Sequence, residues 1–114
     1  MNIATSHLTV EETIVLDDIK TAVAKLLRDR NYRLVLFGSK ARGDFDRNSD
    51  VDLAVIVDGL DRELKDLIID AIAVVELQHL FYVSTLIIST VEFQHLLSRE
   101  RRIALDIESE GVNL

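Results

Sequence analysis

The chain contains no cysteine. That excludes disulfide staples and thiolate metal centres, and it fits a reducing compartment. No segment approaches the run of apolar residues that a membrane span needs, and Met1 to Val10 lack the basic and then apolar regions of a secretory signal. The expectation is a soluble, cytoplasmic protein. Basic charge is scarce as well: 13 Lys and Arg against 20 Asp and Glu give a net charge of −7 and a pI near 4.8. A domain that grips nucleic acid through its phosphates usually presents a basic patch, whereas here Lys and Arg are scattered among acids. Nucleic acid is therefore disfavoured as a direct substrate, and a basic protein partner suits such a surface better. His7, His79 and His95 are too widely spaced for a local metal-ligand set and read as surface or capping residues. No internal repeat, low-complexity tract or linker divides the chain.

What is present is enough for a core. With 114 residues and 48% apolar content the whole chain, residues 1–114, reads as a single domain that needs no staples. Its organising stretch runs from Leu34 to Val57. One apolar run, Leu34 to Phe37, ends at Gly38-Ser39, and ten residues later Asp50 and Asp52 stand in front of a second run, Leu53 to Val57. Both faces of that second run are apolar, which implies a central strand covered by helices.

The remaining elements follow from period and caps. Thr9 and Glu12 form a capping-box pattern ahead of a helix to about Arg28, whose stripe is Val15, Ile19, Ala22, Val23, Leu26 and Leu27. Asp58-Gly59 reads as a turn, and Asp61 as the N-cap of a helix ending near Gln78-His79 with Leu64, Leu67, Ile68, Ala71, Ile72 and Val75 inward. Val83 to Ser89 reads as a third strand. Ser89 and Glu92 repeat the capping pattern before one last helix, marked by Phe93, Leu96, Leu97, Ile103, Ala104 and Ile107 and stopped by Gly111. Arg99 to Arg102 read as its solvated face, and Tyr32 and Tyr82 as packing residues flanking strands.

The chemistry is concentrated in the hairpin. Side chains two apart on a strand share a face, so Asp50 and Asp52 can converge on one cation. Two hard oxygen ligands suit Mg²⁺, which completes its shell with water and phosphate oxygens, and such a pair can also hold two metals across an in-line displacement. That requires a triphosphate nearby. Gly38 tolerates a left-handed backbone and close approach of a phosphate, and Ser39 offers a hydroxyl at the start of a short helix from Lys40 to Arg42. Lys40 and Arg42 add positive charge there, for the phosphates or for fixing the loop against Asp44 and Asp46. A Gly-Ser turn or an Asp-x-Asp strand start is ordinary alone. Joined in this order, with a strand on each side, they are specific.

The pattern Gly38-Ser39, ten residues, Asp50-Val51-Asp52, filled in as G-S-K-A-R-G and S-D-V-D-L-A-V, resembles the signature of the minimal nucleotidyltransferases (MNT) of the DNA polymerase β superfamily. The motif covers about a fifth of the chain, and length and element order fit over nearly all of it. The resemblance implies an α/β fold of the polymerase β-like type, a short mixed sheet of three main strands with helices packed on it and the active hairpin at one edge of the molecule. It implies transfer of AMP from ATP with Mg²⁺, Asp50 and Asp52 holding metal and acting in catalysis, and Gly38 and Ser39, with Lys40 and Arg42, binding the nucleotide. Free-standing proteins of this kind are similar to the antitoxins of HEPN/MNT modules, so the implied partner is a helical HEPN-type ribonuclease toxin, neutralised by AMP transfer to a tyrosine or by tight binding.

One feature departs from that family's fuller pattern. Many of its enzymes carry a third carboxylate on the strand beside Asp-x-Asp, where it helps deprotonate the attacking hydroxyl. The third strand here contains no acid; Ser84 or Thr85 stands in its place, neither of them a base at neutral pH, and Glu76 substitutes only if the fold brings it close. A positioned base contributes about 10²–10⁴-fold, whereas positioning and electrostatics supply much of phosphoryl transfer. An active transferase and a vestigial site that acts by occluding its toxin are both compatible with this; an antibiotic-modifying transferase normally needs an additional acceptor-binding domain.

Overall fold

A computed structural model describes residues 8–43 and 50–114. The expectations for His7, Asp44 and Asp46 fall outside those residues. In chain order the elements are α1 (Val10–Leu27), β1 (Tyr32–Phe37), α2 (Ser39–Arg42), β2 (Asp52–Val57), α3 (Arg62–His79), β3 (Ser84–Ser89), α4 (Thr90–Ser98), α5 (Arg102–Glu110) and β4 (Val112–Asn113). The strands form one mixed sheet in the order β3-β2-β1-β4. β1 runs antiparallel to both neighbours, β2 and β4, while β3 lies parallel to β2. This is the mixed α/β architecture of a polymerase β-like nucleotidyltransferase fold.

Two helical layers cover the sheet because β2 has no polar face to leave exposed. Leu53, Val55 and Val57 join Leu34 and Leu36 in the core beneath α1 and α3, where Val15, Ile19, Val23, Leu27, Ile68, Ile72 and Val75 are buried. The alternate residues Ala54 and Ile56 join Val35 and Ile88 beneath Phe93, Ala104 and Ile107 of α4 and α5. Burying a side chain of that size contributes about 1.5–3 kcal/mol. Both layers together hold β1 and β2 at the sheet's centre. No described helix is long and apolar enough to cross a membrane.

The caps formed as the residues dictate. The Thr9 hydroxyl accepts from the Glu12 amide at 3.0 Å and the Glu12 carboxylate accepts from the Thr9 amide at 2.8 Å, a complete capping box. Asp61 accepts from the Leu64 amide, and Ser89 from the Glu92 amide.

Three expectations are corrected and one strand is added. The single last helix is two, because Glu100 adopts a left-handed φ of 53° while the Glu100 and Arg101 amides bond back to Leu97 and Leu96 at 3.0 Å, closing α4 before α5 begins. A short fourth strand, β4, pairs with β1 on the side away from β2 and is added to the three main strands expected. Leu67 is half exposed rather than inward. Tyr82 is 68% exposed and packs into no core.

Candidate active site

Three strand ends meet at Asp52. It opens β2 opposite Phe37, the last residue of antiparallel β1, and opposite Ser84, the first residue of parallel β3. Gly38 and Ser39 leave β1 at the same end, so residues 14 apart along the chain are brought together by one register. Gly38 has φ 77° and ψ −157°, and a Cβ built on it would lie 2.5 Å from Asp52 Oδ2. No other residue tolerates both the conformation and the contact. The backbone of the Gly38 turn therefore approaches a carboxylate where a side chain would have filled the space.

Val51 is buried while Asp50 is exposed and Asp52 half-buried, the alternation that turns both carboxylates away from the core. Burial raises the Asp52 carboxyl above its ordinary value near 3.8, and the charge of Asp50 raises it further. Opposing these, the Ser84 hydroxyl donates a hydrogen bond to the Asp52 carboxylate and the Arg42 charge favours its ionised form. Repulsion between nearby carboxylates is what a bound cation would relieve. Among the described residues no cluster of three or more His, Cys, Asp or Glu could hold a metal; Asp50 and Asp52 are the described carboxylates that stand together at this end of the sheet. Two carboxylates in a half-open site fit a hard divalent cation that takes its other ligands from water and phosphate.

The short helix α2 starts at Ser39, and the amides of Ala41 and Arg42 bond back to the Gly38 carbonyl. Its two cations have different surroundings. Lys40 is buried, and its ammonium lies 3.0 Å from Glu12 Oε2, inside the layer formed by α1. Arg42 remains at the surface, 3.0 Å from Glu110 of α5, with its charge felt at Asp52. Arg42 is the cation whose charge is felt at Asp52, and Lys40 anchors the turn to α1.

Ser84, and not Thr85, is the residue that the register sets beside Asp52. It occupies the strand position where a third acid was sought. Glu76 accepts a hydrogen bond from the Val83 amide at 2.9 Å, which fixes the start of β3. Glu12 escaped the sequence reading as anything beyond a cap, because its partner Lys40 lies 28 residues away.

A family model for the nucleotidyltransferase domain matches residues 16–107. The chain is also similar to a Methanocaldococcus jannaschii protein named "Putative protein adenylyltransferase MJ0141", with 42% identity over 43 residues, a stretch that is 38% of this chain and 43% of that protein. The match spans less than half the length of that relative.

Proposed function

The chain belongs to the nucleotidyltransferase domain family, and on that premise we propose that it transfers AMP from ATP to a hydroxyl of a protein acceptor. The acceptor oxygen bonds to the α-phosphorus, the bond to the pyrophosphate oxygen breaks, and the hydroxyl proton leaves to solvent or phosphate. The observation that carries this reading is the convergence of the Gly38 turn on Asp52 beside Asp50. The name of the archaeal relative supports a protein as acceptor.

Asp50 and Asp52 hold Mg²⁺, which supplies charge neutralisation at the phosphate oxygens when bound. Gly38 admits the triphosphate against the backbone, and the Ser39 hydroxyl donates to it. Arg42 offsets charge that develops on the phosphates. Ser84 keeps Asp52 oriented by its donated hydrogen bond and abstracts no proton. A phenolic acceptor, more acidic than an alkyl hydroxyl, depends least on the missing base. The acceptor we propose is a tyrosine of a HEPN-type ribonuclease toxin, which makes this chain its antitoxin and a single cytoplasmic domain sufficient for the task.

Incubating the chain with ATP, Mg²⁺ and a HEPN protein encoded beside it, then measuring the partner's intact mass, tests the proposal. Increments of one or more AMP units are the expected outcome, absent with Asp50→Ala and Asp52→Ala. Ser84 in the place of an acid favours a second reading, in which the chain neutralises its toxin by occlusion. That reading requires an unmodified partner that remains inhibited by both variants.

A further inference from the structure

The outward face of α3 changes character along its length. Glu63, Asp66 and Asp70 occupy it in the first turns, and Ala73, Val74 and Leu77 in the last, all of them exposed. The apolar part is large for a surface: Val74 is 55% exposed, Leu77 75%, Leu80 88% and Tyr82 68%. Ala73, Glu76, Leu77, Leu80, Phe81 and Tyr82 line a shallow groove there.

Folding alone does not account for these residues. Leu80 terminates α3 with φ 50° and ψ 47°, a left-handed position that glycine or asparagine fills at least cost, and it places a bulky apolar side chain almost wholly in water. The groove is also joined to the candidate site by a short stretch of chain. Tyr82 precedes Ser84 by two residues, at most about 7 Å of chain, and Ser84 bonds to Asp52. β3, which starts there, is an edge strand of the sheet.

We infer that the apolar end of α3, with Leu80 and Tyr82, is the docking surface for the acceptor protein, and that the acceptor meets it with apolar side chains flanked by lysine or arginine. This rests on the transfer reading above for what the partner does, but not for what the surface binds. Charge selects the occupant. A partner covering Leu77 and Leu80 along the helix axis comes to lie against Asp66 and Asp70, so its flanking residues must be basic. A second copy of this chain would bring the same acids and a net charge of −7 against their like, which disfavours self-pairing.

The test uses the isotope-labelled full chain and two probes, a short amphipathic helical peptide of leucine and lysine and its leucine and glutamate counterpart. Amide shifts concentrated between Asp66 and Ser84 with the lysine peptide, and none with the glutamate peptide, are expected. Leu77→Glu should weaken binding at least about tenfold, as loss of a central interface side chain does. Asp66→Asn with Asp70→Asn should weaken it several-fold, more at low salt than at high salt. Leu80→Gly should weaken it while the Tm stays level or rises, a split that damage to the fold would not produce. Shifts elsewhere on the chain, equal binding of both peptides, or sedimentation showing a dimer that Leu77→Glu dissolves would each overturn the proposal. Failure of AMP transfer with the peptide map intact would remove the transfer reading and leave the docking surface standing. Transfer to a protein acceptor that is unaffected by Leu77→Glu, with no peptide binding, would do the reverse.

Discussion

Both ends of β2 carry an aspartate near a glycine with positive φ, and the two ends have become different things. At the far end Asp58 and Gly59 form a turn in which Arg30 donates to both of their carbonyls, at 3.2 and 2.8 Å, the Asp58 amide bonds to the Asn31 carbonyl at 3.0 Å, and the Asp58 carboxylate accepts from the Thr90 hydroxyl. Every one of those bonds fastens one part of the chain to another. At the near end Gly38 leaves space against Asp52, Asp50 stands beside it with the same charge, and burial works against ionisation of Asp52. The Asp58 bonds fasten the free chain; Asp52 is held half-buried beside a like charge that Arg42 only partly offsets, a repulsion that a bound cation would relieve. That difference, more than the motif, separates a turn from a site.

Substitution should break the symmetry in a definite order. The largest effect belongs to the carboxylates. Asp50→Ala or Asp52→Ala should cut AMP transfer by at least about 10²-fold, the scale of a lost electrostatic stabiliser, with no fall in Tm. Asp58→Ala should do the opposite, lowering Tm and sparing transfer; intact mass and thermal melts read both.

Next come the two cations of α2. Lys40→Met strands the buried Glu12 carboxylate and should cost about 3–5 kcal/mol, as breaking a buried pair does, measured by urea denaturation. Arg42→Met removes a half-exposed pair worth at most about 1 kcal/mol, and its main effect should fall on nucleotide affinity.

The glycines sharpen the comparison further. Gly38→Ala meets both a positive-φ backbone that is essentially confined to glycine, about 1–3 kcal/mol, and the Asp52 carboxylate, whereas at Gly59 the nearest atom is the end of a flexible arginine at 3.0 Å. Gly38→Ala should therefore lower stability more than Gly59→Ala and abolish nucleotide binding as well.

The smallest effect is one of pH. Because the Asp52 pKa is raised on folding, its ionisation destabilises the metal-free protein as pH rises from about its ordinary value, 3.8, through the folded one. Asp52→Asn should raise Tm modestly at neutral pH. The gain should vanish below the ordinary carboxylate range, where both forms are neutral, and added Mg²⁺ should reverse the order of the two proteins.

Much of this was legible from residue order. The continuous apolar run after Asp52 required a covered central strand, and the local caps at Thr9, Asp61 and Ser89 were readable because cap and partner lie three residues apart. What escaped was non-local or wore the wrong residue. The Glu12 and Lys40 pair is set by α1 crossing the hairpin turn, which no spacing reveals. The end of α4 was missed because Glu100 holds a left-handed position where glycine would have marked a stop, whereas α3 ends at His79 as read although Leu80 and not glycine terminates it. β4, only two residues long, is defined by its pairing with β1 and not by its own pattern. Ser84 became the neighbour of Asp52 only once the parallel register was fixed. Tyr82 looked like a packing residue because an aromatic flanking a strand usually is one.

The most direct test of the near end as a nucleotide site is an amide-resolved titration of the chain with a nonhydrolysable ATP analogue, with and without Mg²⁺. The account predicts Mg²⁺-dependent binding that shifts Gly38, Ser39, Asp50, Asp52 and Ser84 and leaves Asp58 and Gly59 unmoved. Absence of binding, or binding that moves the Asp58 and Gly59 turn instead, would contradict it.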